Sequence, residues 1–567
     1  MPVFTPFFIA LALLNPQDLE IRANVKTGDV LKGEQTIRAI VQSKDIINQV
    51  EFYLAGELRD SKSSTPYEFK LDTIGEEDGE VAIKLIAYSS SGEKKEQIIR
   101  VMIDNGVSKG APFHTEIAQK AFEDGNYDLA IQEGRIALHA QKGYVPAKAI
   151  LARAYSEKGV LDRALKYAED AQASDPDNDV YNELVMTLNL KRVFTTYDRA
   201  DTSSDDNLKI IGDSLKSAIQ LRAKVLERKI DALGTATEAN EIQRVDLLLL
   251  ANRYSAALAA LRPKNNLEGT APWLDRYAYT LLRMGRYTEC RNLMFDLNKS
   301  NHHTMFTAAV DAALRAYLLD YSGLYGANNN VLPSTKDNLG FRSVAVYALL
   351  RQGNTNGLRQ AISDLQESVT TDSVVSTILS VASNKVGDFE KGRQLFRQAI
   401  LQNPMNTDAY LEQAIQAIQI TATTELTPEA AKYQLAAARV WLEAALASRP
   451  ESAEALTCLG MLDMLTGKYD EAIRFVDSAT MVSKDYAPAY LMKATVIQAA
   501  SRPGTNRSGK SIFMDSGEQA QVEVRSLLEK TRELDPRFAL ATLPTAKQAF
   551  DYFMQKRTPL IASPFSH

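Results

Sequence analysis

The sequence predicts a multidomain chain in which an N-terminal all-β sandwich is followed by an all-α superhelical solenoid. The 567 residues are too many for a single hydrophobic core. Up to about Asp104, hydrophobic residues alternate with a period of two, which is typical of strands half buried against a core. After Gly106 the apolar spacing becomes helical, and small residues recur at the interval of about 34 residues that indicates stacked helical hairpins.

The composition narrows the range of functions. Hydrophobic residues make up 45% of the chain and charged residues 24%, as in soluble globular proteins. The net charge of −6 is small for this length, and Lys94-Lys95 is as long as any basic run. Broad nucleic-acid binding needs a concentrated basic surface, so we expect no nucleic-acid partner.

Residues Pro2 to Leu14 form an apolar run that is too short to span a bilayer as a helix. Its length matches the apolar core of a secretory signal, although no Lys or Arg precedes Arg22 to supply the usual basic region. We therefore expect an exported protein, periplasmic or at the cell surface, with a cytoplasmic location as the alternative. No other transmembrane candidate occurs, so no integral membrane span is expected.

The segment up to residue 106 reads as antiparallel strands separated by turn signals such as Asp78-Gly79 and Ser91-Gly92. About six or seven short strands in fewer than about a hundred residues predict a sandwich. The inward-facing residues of four strands are Ile37, Ala39 and Val41; Val50, Phe52 and Leu54; Val81, Ile83, Leu85 and Ala87; and Ile99, Val101 and Ile103.

Four stretches of this segment resemble a bacterial immunoglobulin-like module. They are VEFYLAGEL (50–58), TPYEFKLDT (65–73), DGEVAIKLIAYSSSGE (78–93) and VMIDNG (101–106). In that family a VxFYxxG strand pair precedes PYxFxxDT, and an Asp-Gly turn leads into a strand that ends in Ala. Such modules usually serve as spacers or adhesive units on exported proteins, so the resemblance implies export from a bacterial cell.

The helical part resembles the tetratricopeptide repeat (TPR). Gly125 and Gly159 are one repeat apart, as are Ala130 and Ala164. Small residues at such places let two antiparallel helices approach closely. Three further copies contain Gly285, Gly387, and Gly460 together with Gly467, and weaker ones include Tyr254 with Ala257 and Ala438 with Ala445.

These patterns divide the chain into a series of segments. They are a possible signal-like segment at 1–17, the sandwich at 18–106, repeats at 107–185, an irregular helical segment at 186–244, repeats at 245–299, a second irregular helical segment at 300–345, repeats at 346–556 with insertions near 418–430 and 500–518, and a tail at 557–567. Gly106, Gly110 and Pro112 suggest a hinge after the sandwich.

The sequence offers few candidates for catalysis. GTNRSGKS (504–511) fits the phosphate-binding loop, but no strand precedes it, and a Gly/Ser-rich insertion is the preferred interpretation. Cys290 and Cys458 cannot make a zinc site by themselves, and His302-His303 lack ligand spacing. We expect a protein that is not an enzyme, with no catalytic residue, cofactor or metal.

The expected function is a non-catalytic scaffold or adaptor that binds a partner peptide or helix in the groove of the solenoid, where the first helix of each hairpin lies. The alternatives are a cytoplasmic assembly factor with the same groove, and an enzyme that uses a nucleotide through the 504–511 loop. The predicted groove residues, which alternatively pack against the irregular helical segments, are Arg153, Tyr279, Val381, Leu411, Ile415, Met461, Met464, Leu491 and Thr495.

Overall fold

The computed structural model describes residues 19–198, 205–234, 237–262, 270–321, 324, 338–366, 372–423, 425–501, 517–539 and 543–565. The chain divides into two compact units, Met1–Leu188 and Asn189–His567. Across the described residues, every helix is too short or too polar to cross a membrane. The signal-like segment 1–17 and the 504–511 loop lie outside the described residues.

The N-terminal part of the first unit is a sandwich of two sheets. One sheet has the strand order β1-β3-β6 and the other β2-β8-β7-β4-β5. The structure has eight strands here, where the sequence predicted six or seven, because β2 is only two residues long and too short to show alternation. The strands are β1 (Glu20–Ala23), β2 (Val30–Leu31), β3 (Glu34–Gln42), β4 (Ile47–Leu54), β5 (Glu57–Lys62), β6 (Glu68–Asp72), β7 (Gly79–Ser89) and β8 (Lys94–Ile103).

The core of the sandwich includes residues that alternation placed inward, such as Phe52, together with others such as Phe69. Phe52 of β4 stacks on Phe69 of β6 with ring centroids 5.4 Å apart, so side chains of the two sheets meet face to face. Phe52 also lies opposite Leu85 in the antiparallel β4–β7 pair. A period-two pattern buries one face of each strand, and here both sheets bury that face against each other.

The segment after β8 is a packed junction, which corrects the predicted hinge. Asn105 is fully buried, and its side chain accepts from Gly33 N at 3.1 Å and donates to Thr73 O at 2.9 Å. Glu133 of the first hairpin lies 2.6 Å from His114 Nδ1 and 2.7 Å from Lys32 Nζ of the sandwich. Because buried polar groups must be partnered, these contacts fix the sandwich to the first hairpin.

Two helical hairpins complete the first unit. They are α1 (Ala111–Glu123) with α2 (Tyr127–Ala140), and α3 (Val145–Glu157) with α4 (Leu161–Ser174). Each helix of the second hairpin begins 34 residues after its counterpart, as the sequence predicted. Gly125 turns the chain at a φ of 75°, a conformation that favours glycine, and Asn126 then caps α2 by accepting from Leu129 N at 3.2 Å.

The remaining helices continue as hairpins with less regular members between them. They are α5 (Asp179–Tyr197), α6 (Asp205–Ala232), α7 (Glu238–Leu250), α8 (Tyr254–Leu261), α9 (Ala271–Arg283), α10 (Tyr287–Ser300), α11 (Met305–Tyr317), α12 (Leu339–Gln352), α13 (Thr355–Gln366), α14 (Ser373–Lys385), α15 (Phe389–Gln402), α16 (Thr407–Thr423), α17 (Pro428–Ser448), α18 (Ala453–Leu465), α19 (Tyr469–Val482), α20 (Ala487–Ala500), α21 (Gly517–Leu534) and α22 (Ala546–Gln555).

Irregular helices of the second unit pack against hairpins that come much later in the chain. The 28-residue α6 lies along α17, and Gly212 of α6 faces Val440. Asn252 Nδ2, after α7, donates to the carbonyls of Met405 at 2.6 Å and Ser448 at 3.1 Å. These helices pack against parts of the chain that are distant in sequence as well as against the next hairpin. Their residues therefore do not follow the repeat pattern, which suits packing against the next hairpin alone.

Candidate peptide-binding face

The site is a face of the second unit to which the helices α9, α12, α14, α16 and α18 contribute, and we call it the inner face. Each of these is the first helix of a hairpin. The chain after α22 runs over this face as residues 556–565, which form no helix or strand. We call these residues the 556–565 segment.

Arg557 is the central polar contact of the segment. It is buried and forms an ion pair with Glu412 of α16, and its guanidinium also lies 3.5 Å from Glu454 of α18. Burial raises the pKa of Glu412, while Arg557 opposes that shift. Burial alone would lower the pKa of Arg557, but the carboxylates of Glu412 and Glu454 outweigh it and raise that pKa. The guanidinium is thus held in its charged form between two carboxylates.

The inner face also bonds to the backbone of the segment. Tyr347 Oη of α12 donates to the carbonyl of Arg557 at 3.1 Å, and Thr558 N donates to the Glu454 carboxylate. Asp372, the cap of α14, accepts from Ser563 N at 2.7 Å and from Ser563 Oγ at 2.8 Å. Side chains of three helical elements therefore satisfy backbone groups that would otherwise be buried without partners.

Apolar contacts complete the docking of the segment. Ile561 and Ala562 are fully buried, and Leu560 and Ala562 join the hydrophobic cluster of α12 to α14. Phe565 meets Tyr279 of α9 edge to face, with ring centroids 6.4 Å apart, and the guanidinium of Arg276 lies 5.8 Å from the same ring. The segment thus has apolar anchors as well as a charged one.

A cavity of about 410 Å³ opens on the inner face beside the segment. Its apolar lining includes Leu350 of α12, Ile378 and Val381 of α14, Ile415 and Ile420 of α16, and Leu560 of the segment. Arg351, also in the lining, donates from Nη1 to the carbonyl of Met554 at 3.1 Å, while its buried Nη2 has no hydrogen-bond partner among the described residues. The cavity therefore has aliphatic side chains in its wall, together with polar ones such as Lys385 and Gln416.

The hairpins interlock through small residues at repeat positions. A Cβ on Gly460 of α18 would lie 2.5 Å from Val476 of α19, and one on Gly134 of α2 would lie 2.9 Å from Leu151 of α3. Ala130, Ala164 and Ala472, at equivalent positions, are fully buried. Small residues let neighbouring helices approach closely, and Ala130 and Ala164 place such a residue in hairpins 34 residues apart. This repetition identifies the fold. The helical part is a tetratricopeptide-like solenoid.

The known proteins that are similar to this chain are solved structures. No protein-family model matches the chain, and neither does any curated protein. Among solved structures, yeast Tom70 is 14% identical, over 75% of this chain and 85% of that one, with a TM-score of 0.26. The human IFIT1 dimer with m7Gppp-AAAA is 13% identical, over 73% of this chain and 81% of that one, with a TM-score of 0.33.

Another similar solved structure is a β-module that covers a small part of the chain. The fibronectin(III)-like modules of Clostridium thermocellum CbhA are 26% identical over 15% of this chain and 94% of that one, with a TM-score of 0.14. The fold of both parts, an immunoglobulin-like sandwich and a TPR-like solenoid, rests on their own strands and hairpins.

The structure brings some of the predicted groove residues to the solenoid's inner face. Val381 and Ile415 line the cavity, and Tyr279 contacts Phe565 of the segment. Arg153 belongs to the first unit and is half buried. Leu411, Met461, Met464, Leu491 and Thr495 are buried side chains, with Met461 only 2% exposed, and so present no open surface in this structure.

Several important residues of this face were missed by sequence reasoning. Arg557 falls in the predicted tail, and no sequence pattern singles out Glu412, Glu454 or Asp372, yet contacts among these residues fix the segment to the inner face. The one available signal was the apolar run Pro559 to Ala562, which is unusual for a solvated tail.

Both cysteines are buried. Burial raises the pKa of both Cys290 and Cys458 to about 12, so neither thiol ionises near neutral pH. The described residues contain no group of His, Cys, Asp and Glu side chains arranged to hold a metal ion.

Proposed function

We propose that this protein is a non-catalytic scaffold that binds an extended segment of a partner protein on the inner face of its solenoid. One observation supports this most directly: the inner face already holds a polypeptide without regular structure, the 556–565 segment, through side-chain bonds to its backbone. A face that binds one such chain in this way has the chemistry to bind another.

The cavity beside the segment is the place for an apolar side chain of the partner. Its lining by Ile378, Val381 and Ile415 suits an aliphatic group. We therefore expect a partner segment that places one aliphatic residue in the cavity.

The test is affinity purification with the full chain, comparing wild type with Val381→Glu and Leu401→Glu. Val381 is partly buried at the cavity, whereas Leu401 is an exposed aliphatic residue of α15. A charge at Val381 is expected to reduce recovery of the partner at least about tenfold, because the cavity would have to bury it. Leu401→Glu is the matched control and should leave recovery unchanged.

Thermal unfolding of both variants checks that each is folded. Equal loss of the partner in the two variants, or full retention in Val381→Glu, would rule out the cavity as the binding place.

We also propose that the scaffold acts outside the cytoplasm, in a bacterial cell envelope. The apolar run Pro2 to Leu14 and the resemblance of the sandwich to exported modules support this. Cell fractionation with N-terminal sequencing of the recovered protein tests it. An intact Met1 on a cytoplasmic protein would contradict export and favour a cytoplasmic assembly factor.

A further inference from the structure

We infer that the 556–565 segment is a tethered ligand of the inner face, which a partner segment of similar chemistry displaces. That chemistry is an extended chain with an arginine followed, three and four residues later, by two aliphatic residues, as Arg557 is followed by Leu560 and Ile561. The inference rests on the proposed function, because it assumes that partners bind this face.

Charge on the inner face favours a guanidinium ligand. Glu412 and Glu454 converge on one cation, and that cation is Arg557 of the segment. Asp408 adds a third carboxylate that raises the pKa of Arg557. Without the segment, Glu412 and Glu454 would lose their buried partner, and an arginine from another chain could restore it.

The apolar contacts favour aliphatic residues at a fixed distance from that arginine. Ile561 packs close to Gly340 of α12, and Leu560 and Ala562 lie in the cluster that contains Val346 and Ile378. An extended chain advances about 3.3 Å per residue, so three residues carry it roughly 10 Å from the carboxylates to this cluster. The spacing between charge and aliphatic residues is therefore a property of the face that any ligand must match.

The segment is also attached in a way that permits release. It follows α22 and has no regular structure of its own, and beyond Lys556 its backbone is bonded to side chains of the solenoid such as Tyr347 and Asp372. Lys556 pairs with Asp535 at 2.8 Å where the segment begins. That pair holds the start of the segment near the face while the residues beyond it can leave without unfolding a helix.

Hydrogen exchange on the full chain is the deciding experiment. The amides of Thr558 and Ser563, which donate to Glu454 and Asp372, are expected to exchange at least about tenfold faster than the core amides of α16 and α18, because the segment opens locally. Exchange of these amides at the same rate as the core of α16 and α18 would show a permanent structural element and would overturn the inference.

A second experiment measures binding of a synthetic peptide, KRTPLIASPF, which copies the segment. The peptide should bind full-length Arg557→Glu at least about tenfold more tightly than wild type, because the variant's own segment no longer competes. A peptide carrying the same Arg557→Glu change is the matched control and should bind neither protein. Equal binding of KRTPLIASPF to both proteins, or to neither, contradicts displacement.

The two proposals can fail separately. Val381→Glu could lose the partner while the segment amides exchange at the rate of the core. That result would support the scaffold function and contradict the tethered ligand. Alternatively, the segment could open and the peptide could bind as expected, while Val381→Glu leaves partner recovery unchanged. That result would support the tethered ligand and show that the partner does not use the cavity.

Discussion

Arg557 and Glu412 form a buried ion pair on the inner face, although 145 residues separate them in the sequence. The pair joins the 556–565 segment to α16, and the carboxylate of Glu454 of α18 lies 3.5 Å from the same guanidinium. Breaking a buried pair leaves an uncompensated charge, which costs more than the pair itself contributes.

Replacing Arg557 by methionine should therefore destabilise the second unit. We expect the free energy of unfolding to fall by up to about 3–5 kcal/mol, the cost of stranding a buried charge. Urea denaturation followed by circular dichroism measures this. Arg474→Met, at an exposed position of α19, is the control and should change the stability by less than about 0.5 kcal/mol.

The loss of stability in Arg557→Met should be larger at high pH than at low pH. Burial raises the pKa of Glu412 above 4.5, and removal of Arg557 raises it further. A carboxyl with a raised pKa in the folded state favours folding at low pH and loses that contribution as pH rises through the folded pKa. The free energy of unfolding of the variant should thus be closer to that of wild type at pH 5 than at pH 8. A larger deficit at pH 5 would contradict this assignment.

Replacing two helical glycines of the second unit by alanine should change the stability in opposite directions. A Cβ on Gly460 would come within 2.5 Å of Val476 and 3.1 Å of a backbone carbonyl, whereas one on Gly212 would make only ordinary contact at 3.6 Å. Gly460→Ala should cost about 1–3 kcal/mol through overpacking. Gly212→Ala should gain about 0.5–1 kcal/mol, because alanine favours the helix. Melting temperatures that move in the same direction would refute the packing argument.

Both cysteines should be unreactive in the folded protein. Burial raises their pKa from 9.0 to about 12, which lowers the thiolate fraction about a thousandfold at neutral pH. A chromogenic disulfide reagent at pH 8 should label neither Cys290 nor Cys458 in the native chain and both in urea. Rapid labelling of the native chain would mean that one of them is accessible.

The junction in the first unit should depend on Glu133. Glu133→Gln removes the charge that faces both His114 and Lys32, and we expect a loss of about 1–3 kcal/mol. Limited proteolysis should then cut faster within residues 105–111. Glu116→Gln, on the exposed side of α1, is the control and should be cut as slowly as wild type.

Much of the fold follows from local patterns. Phe52 and Leu85 face the core because alternate residues of a strand share one face, and both are buried. Gly460 recurs at a repeat position because two helices can approach there only without a side chain. The insertion predicted near 418–430 includes helix on both sides, since α16 extends to Thr423 and α17 begins at Pro428.

The inner face was less predictable. Met461 and Val381 have the same helical spacing relative to their repeats, yet Met461 is 2% exposed and Val381 lines an open cavity. Spacing identifies the helix face that points inward but not what covers it. Part of this face is occupied by the 556–565 segment, whose contacts reach from Arg276 of α9 to Glu454 of α18.

The sequence by itself determined the strands of the sandwich, the hairpins and their 34-residue period, because each depends on residues close together in the chain. Only the tertiary structure decided that residues 105–111 form a packed junction and that the 556–565 segment lies on the inner face. Both results depend on buried charges and backbone groups finding partners far along the chain, and no local pattern specifies which distant partner satisfies them.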